Sequence, residues 1–343
     1  MAVTILDIAK ETGRTCSTVS RALNNCGRIS DKVREEILEA AERLGYRPNS
    51  AGVALQKGRT NTIAVLLPEL GNPFYADLLH YFKRACAAQG YDVAVYDYEY
   101  SRELERHLLQ KMYTGFCDGV FAAVSSLEYT GDLIKRLWKA HVPVTILGTS
   151  QQSDFPQCYD YVSVDHCNAL AKLFSYLSEH GKRHAVKTEI CITKEISEYV
   201  KDKIMGIFKE TAGQATLNFY DLKPDNSSPV LTGISAFQKI MKLYPETDVI
   251  IARNGMELYG MLASARERDI RIPDDLMFIC CDNTWLNQYS SIPILAIDQH
   301  TEELAKNGFE MIYRRINSEK WLPADRFIAE TTTVLPKFSN NNK

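Results

Sequence analysis

The residues with chemistry to offer are concentrated in ten positions, Thr15-Cys16-Ser17-Thr18-Val19-Ser20-Arg21-Ala22-Leu23-Asn24. Thr15 is a good N-cap, because its hydroxyl can accept a hydrogen bond from an unpaired first-turn N–H. Val19, Ala22 and Leu23 fall on one helical face by the i, i+3, i+4 rule. Cys16, Ser17, Ser20, Arg21 and Asn24 take the other face, which is short, polar and uncharged except for one guanidinium. Small polar groups on a first turn, with Arg one turn on, suit a helix seated in a DNA major groove. Taken alone, the ten residues also read as an ordinary solvated face. Enzymatic chemistry has no carrier: the chain has no P-loop, no G-x-S-x-G, no G-x-G-x-x-G and no H-E-x-x-H. No catalytic residue, cofactor or metal site is expected.

The flanking segments supply what must position that helix. Thr4-Ile5-Leu6-Asp7 comes close to a capping box, with Ile5, Ile8 and Ala9 as the apolar stripe of a first helix that Gly13 ends. Gly13-Arg14 makes the tight connection. After the loop 24–28, Ser30 caps a third helix over 31–44, with Val33, Ile37, Leu38, Ala41 and Leu44 inward and Gly45 as its stop. Three short helices with a Gly turn between the first two make a helix-turn-helix. Pro48 then forces an extended segment, and Asn49 can cap a small helix over 50–56. Helices below about 12 residues are marginal in water, and Gly52 costs this one roughly 1 kcal/mol more. The segment therefore folds only against something. Leu55 on it could wedge between base steps in a minor groove; the stretch reads equally as a flexible linker.

Composition is consistent with a reader of nucleic acid at one end. The chain has 343 residues and a net charge of −3, yet residues 1–60 hold ten Lys/Arg against seven Asp/Glu. That is a basic head of +3 on an acidic body of −6. Hydrophobic content of 45% with 24% charged residues implies packed domains, two or three at this length. No apolar run reaches a bilayer span, and the N-terminus lacks the pattern of a secretory signal. Nine Cys at irregular spacing argue for reduced thiols, and so for the cytoplasm. Cys280-Cys281 read as buried strand residues.

From Thr62 onward apolar runs alternate with amphipathic helices. Strands are expected near 63–67, 93–96, 118–124 and 144–147, with helices over 74–89, 102–113 and 131–141. Residues 162–290 repeat the series, with strands near 162–164, 190–192, 217–220, 249–252 and 277–281. A strand at 294–297, a helix at 302–316 and a strand region at 327–334 follow. This βαβ rhythm predicts parallel doubly wound sheets. Two such sheets facing each other make a ligand cleft at their strand C-termini. Tyr96, Tyr98 and Tyr100 alternate at strand period and are expected to be half-buried structural residues.

Thr4-Ile5-Leu6-Asp7-Ile8-Ala9, Thr18 to Asn24, Gly45-Tyr46-Arg47-Pro48-Asn49 and Leu55 together resemble the head of the lac repressor family of bacterial regulators. Val162-Ser163-Val164-Asp165, Ile272-Pro273-Asp274-Asp275 and Cys281-Asp282-Asn283 extend the resemblance over nearly the whole chain. It implies an α/β chain with a helix-turn-helix head at 1–48 and a hinge helix and linker at 49–61. A two-lobed domain like the periplasmic sugar-binding proteins follows, its first lobe 62–161 with 293–325 and its second 162–292 with 326–338. The implied partners are double-stranded operator DNA, a second copy of the chain and a carbohydrate-related small molecule, with no membrane. Cys16, Ser17 and Arg21 would read bases beside the cap Thr15, and Ser20, Asn24, Arg28, Ser30 and Arg34 would touch mostly phosphates. Leu55 would enter the minor groove. In the cleft the resemblance points to Asn72, Phe74, Lys203, Asn254, Asp282 and Gln299.

The departures from the family pattern are specific. Arg14 replaces a small apolar residue. Gly52-Val53 stands where Ala-Arg is usual. Gly255 replaces an Asp, Lys203 an Arg, and Gly148 a polar contact found in some members. Lys keeps the charge and loses the bidentate fork. Such a pocket points to a ligand other than the common sugars or to a weakened response. The alternatives are a regulator of this fold governed by a protein partner, and a solute-binding α/β protein with an incidental helical head.

Overall fold

The helical head owes its shape to three interlocking stripes. A computed structural model describes residues 3–47, 58–148, 158–190, 194–222 and 228–334. The chain forms two units, Met1–Thr60 and Asn61–Lys343. In the first, α1 (Ile5–Thr12), α2 (Cys16–Leu23) and α3 (Asp31–Arg43) bury Ile8, Val19, Ala22, Ile37 and Ala40 against one another. The Asp7 carboxylate accepts from the Thr4 N–H (2.9 Å) and the Thr4 hydroxyl (2.8 Å), so the acid's half of the capping box is present. Gly13 sits at φ 62°, the left-handed turn that lets α2 follow at once. Leu38 departs from the expected stripe: it is exposed, and Ala40 takes the inward position. The expected hinge helix, with Leu55, lies outside the described residues.

The second unit is built from buried apolar strands. β1 (Thr62–Leu67) is covered on both faces, and its run Ile63 to Leu67 has essentially no exposed surface. Around it stand β2 (Asp92–Asp97), β3 (Gly119–Ala123), β4 (Val144–Gly148), β5 (Asp160–Asp165) and, last in sequence, β11 (Arg326–Glu330), in the order β11-β5-β4-β3-β1-β2. The second sheet contains β6 (His184–Ile190), β7 (Thr216–Leu222), β8 (Val249–Ala252), β9 (Met277–Cys280), β10 (Leu295–Asp298) and β12 (Thr332–Val334), in the order β12-β10-β9-β8-β6-β7. All neighbours are parallel except β10 and β12, which run antiparallel. The helices are α4 (Pro73–Ala88), α5 (Arg102–Lys111), α6 (Leu127–Lys139), α7 (Cys167–Glu179), α8 (Lys194–Thr211), α9 (Pro229–Leu243), α10 (Gly255–Glu267), α11 (Trp285–Gln288) and α12 (Thr301–Ile316). Among the described residues no helix is long and apolar enough to cross a membrane.

The lobes divide elsewhere than the expected boundaries. β5 and β11 belong to the first sheet, whereas β10 belongs to the second. Hydrophobic pattern marks a strand without naming its neighbours, so the crossings had no signal of their own. They fall at Asp165, at residues 298–301 and at Thr331, where the Thr331 N–H (3.3 Å) and hydroxyl (2.9 Å) both donate to the Asp165 carbonyl. The strand expected at 190–192 is β6, six residues earlier at its start. Its polar residues hid it: Lys187 is buried on the core side and ion-paired with Glu189. α6 likewise begins at Leu127, ahead of the expected 131.

One polar cluster fixes α12 against the first sheet. Arg315 and Asp160 are each about 1% exposed and pair through Nη2–Oδ1 at 2.7 Å. The guanidinium also donates to the Leu322 and Pro323 carbonyls at 2.6 Å and lies 4.3 Å from the Trp138 ring centroid. Each of the three guanidinium nitrogens has an acceptor, the condition under which a buried ion pair is tolerated.

Candidate nucleic-acid face and ligand cleft

α2 starts where the Thr15 hydroxyl accepts from the Thr18 N–H at 3.2 Å. Val19 and Ala22 turn into the head, which leaves Thr15, Cys16, Ser17 and Arg21 exposed along one side. Asn24 closes the helix by donating from Nδ2 to the Ser20 carbonyl (2.9 Å) and hydroxyl (3.4 Å), so those two side chains act as a pair. Arg28 and Ser30 are exposed; the Ser30 hydroxyl makes no cap bond, because its carbonyl alone receives the first turn of α3. Arg34 is half-buried, 3.7 Å from Asp31, with its Nε unpartnered. Arg14 is held by Glu36 at 3.2 Å. Gly27, at φ 79°, lies under Arg21: a Cβ there would stand 3.2 Å from the Arg21 Cδ. The loop thus supports the guanidinium stem from below.

Each doubly wound sheet has one point where strand order reverses, β1/β3 in the first and β6/β8 in the second, and ligands bind beyond strand C-termini there. A cavity of about 160 Å³ opens at the first of these points. Asn72 caps α4 by accepting from the Phe74 N–H at 3.0 Å, and this sets Phe74 and Tyr75 on the cavity wall. Ser125 and Ser126 follow β3 on the opposite side. Gln299 and Leu304 reach in from the second crossing. Behind Ser125 lies Glu105, fully buried, accepting from the Ser125 N–H at 2.8 Å and from its hydroxyl. Burial raises the Glu105 pKa against those two bonds.

The second reversal point carries Arg253, Asn254 and Asp282. Asp282 is buried; its Oδ2 accepts from the Gly255 N–H at 3.3 Å and its Oδ1 from the Gln299 amide. Burial pushes its carboxyl up to about 6; the Gly255 N–H and Arg253 oppose this, and Glu257 adds to it. Asn254 caps α10: its Oδ1 accepts from the Glu257 N–H at 2.9 Å and its amide donates to Glu257 Oε1. Arg253 donates to the same oxygen from Nε at 3.1 Å, leaving Glu257 Oε2 buried and unpaired.

The structure therefore brings together Asn72, Phe74, Gln299 and Asp282, with Asn254 beside Gly255, whose N–H donates to Asp282. Lys203 stands apart on α8, 3.9 Å from Asp165. Tyr98 is buried and lines the cavity, while Tyr100 lies beyond the end of β2 at φ 55° and donates to Glu69 at 3.2 Å. Sequence reasoning missed Tyr161, Ser125, Glu105 and Arg253. Arg253 had a signal, since it directly follows the apolar strand beside Asn254. Glu105 had none, because an acid in an amphipathic helix reads as solvated. No group of three or more His, Cys, Asp or Glu among the described residues could hold a metal.

Fold and sites together define a helix-turn-helix protein joined to a bilobed binding domain. The profile described as "Bacterial regulatory proteins, lacI family" matches residues 4–49, and "Periplasmic binding proteins and sugar binding domain of LacI family" matches residues 60–333. The chain belongs to the lacI family of bacterial regulatory proteins and is a transcriptional regulator rather than an enzyme. It is 26% identical to catabolite control protein A of Staphylococcus epidermidis over 322 residues, covering 93% of this chain and 94% of that one. It is also 26% identical over 317 residues to YkvZ of Bacillus subtilis, an uncharacterized HTH-type transcriptional regulator, covering 92% and 94%. In fold it resembles a LacI-family regulator from Silicibacter pomeroyi (TM-score 0.77, 24% identity, 97% and 98% covered). It likewise resembles the lac repressor dimer bound to operator and the anti-inducer ONPF (TM-score 0.79, 16% identity, 98% and 99% covered).

Proposed function

We propose that the chain is a repressor that binds a pseudo-palindromic operator as a homodimer, with operator affinity set by a small molecule in the interlobe cavity. The observation that carries this is the exposed first turn of α2, with Cys16, Ser17 and Arg21 outward, on a chain whose other unit holds a cavity at a strand-order reversal. Cys16, Ser17 and Arg21 read base edges. Thr15, Ser20, Asn24, Arg28, Ser30 and Arg34 fix register on the backbone. Leu55 enters the minor groove from a hinge that folds on DNA, and ligand-driven movement of the lobes helps or hinders that folding.

Fluorescence anisotropy with duplexes from upstream of the chain's own gene, against random duplex, tests the reading. Preference for the native fragment, a log–log salt dependence, and loss of discrimination in Arg21→Ala are expected. Equal affinity for both duplexes refutes it. A second reading, control by a protein partner, is favoured by the way Asp282 and Gln299, and Asn254 and Glu257, spend hydrogen bonds on each other. It predicts that no small molecule changes operator affinity.

A further inference from the structure

The cavity has a size and a hydrogen-bonding polarity, and together they select a ligand. Its 160 Å³ is close to the about 150 Å³ known to accommodate a benzene ring in an apolar cavity. It falls below the roughly 300–1,000 Å³ usual for drug-sized ligands. Its walls are largely aromatic and aliphatic: Phe74, Tyr75, Tyr98, Tyr161, Leu127 and Leu147. Gly148 is part of this construction, for a Cβ there would stand 2.7 Å from the Tyr161 ring. Where some family members carry a polar contact, this chain admits a tyrosine.

Four of the six polar side chains on the wall have already given their hydrogens to the protein. Tyr98 donates to the Ala123 carbonyl at 3.0 Å, and Tyr161 to the Ser163 hydroxyl at 3.3 Å. Ser125 donates to Glu105 from both its N–H and its hydroxyl. Gln299 donates to the Cys281 carbonyl at 2.9 Å and to Asp282. What these four can offer a ligand is lone pairs; Tyr75 and Ser126 keep rotatable hydroxyls. No Lys, Arg or His lines the cavity, and Lys203 is engaged at Asp165. An anion would meet acceptors on most sides. A sugar would bring more hydroxyls than the wall has partners, and each one buried unpaired is costly.

We propose that the ligand of this cavity is an uncharged, single-ring aromatic carrying hydroxyl groups, of the phenol and catechol class, in place of a carbohydrate or sugar phosphate. The ring stacks among the tyrosines and Phe74 in offset or edge-on contact. Its hydroxyls donate to the Ser125, Tyr161 and Gln299 oxygens. The inference rests on the effector reading above and replaces the carbohydrate that the family resemblance implies.

Calorimetric titration of the full chain with phenol, catechol, benzoate, D-glucose, D-ribose and glucose 6-phosphate decides it, with operator affinity measured alongside. Saturable one-site binding of catechol is expected, at least tenfold tighter than benzoate and with no heat from the sugars. Ser126→Phe, which places a ring in the cavity, should weaken catechol at least tenfold while keeping the parent's circular dichroism. Should that variant misfold, the panel on the parent protein still decides. Binding of a sugar or sugar phosphate without catechol overturns the inference and leaves the effector reading standing. Benzoate matching catechol, or catechol binding untouched in a folded Ser126→Phe, also overturns it. Silence across the panel overturns the inference and counts against the effector reading. Catechol binding without change in operator affinity sustains the ring and overturns effector control.

Discussion

Asp282→Asn should alter how stability depends on pH, and the size of the effect follows from its surroundings. Burial lifts the Asp282 carboxyl from 3.8 to about 6, against the pull of the Gly255 N–H, Arg253 and Gln299. Between those values the folded chain holds a proton that the unfolded chain has lost. Stability therefore falls as pH rises through that window and levels off above about pH 7. The full shift of about two units corresponds to ~3 kcal/mol at 1.36 kcal/mol per unit. Between pH 5 and pH 8, where the protein can be handled, about 1.4 kcal/mol of it remains to be lost. Asparagine has no such proton. It also has one acceptor where Asp282 uses two, a cost of ~1–3 kcal/mol that does not vary with pH. The measurable quantity is thus the unfolding free energy of the variant minus that of the parent at several pH values.

Urea denaturation followed by tryptophan fluorescence isolates the relevant unit, because Trp138, Trp285 and Trp321 all lie in the second one. The difference should rise by ~1.4 kcal/mol from pH 5 to 8, with most of the rise complete by pH 7. A difference flat across that range would mean Asp282 ionises as it does in water, and the desolvated site built around Gln299 and Gly255 would be refuted.

Four further outcomes follow from packing. Arg315→Met should cost ~3–5 kcal/mol in a urea midpoint, because it strands the Asp160 charge, whereas adding Asp160→Asn should return much of the loss. Gly27→Ala forces a side chain into the left-handed region, which costs about 1–2 kcal/mol. It also displaces Arg21, so operator affinity should fall further than the loss of head stability explains; equal effects would deny the contact. Gly233→Ala and Gly260→Ala would place a Cβ 2.1 Å from the Glu257 carbonyl and 2.0 Å from the Val230 carbonyl, and each should cost at least ~1–3 kcal/mol. Gly206→Ala in α8 meets open space and should gain ~0.5–1 kcal/mol, which a thermal melt reads directly.

What was legible in the sequence was whatever depends on neighbours along the chain. Thr15, Gly13 and the stripe Val19, Ala22 act within one or two turns, so the head's helices, and the outward set on α2, follow from spacing. The buried strands announce themselves for the same reason, and β6 is expected six residues late because Lys187 breaks the apolar run and is neutralised by Glu189 two residues on. Sheet membership at the crossings depends on contacts such as Thr331 to Asp165, separated by 166 positions, and no local pattern encodes them.

The cleft shows a sharper limit, and it bears on how such sites are read. Residue type announces what a side chain can bond, whereas the fold decides what it has already bonded. The resemblance points to Asp282, Gln299 and Asn254 as ligand contacts, yet their functional groups are turned on each other and on Glu257. Tyr98 reads as structural by period and Tyr161 carries no signal of its own, yet both rings form the wall, with their hydroxyls on the Ala123 carbonyl and Ser163. The polar signposts became scaffold and the aromatic scaffold became surface. A prediction of ligand class for a chain with these departures has to begin from the lone pairs and ring faces left over once every internal bond is assigned.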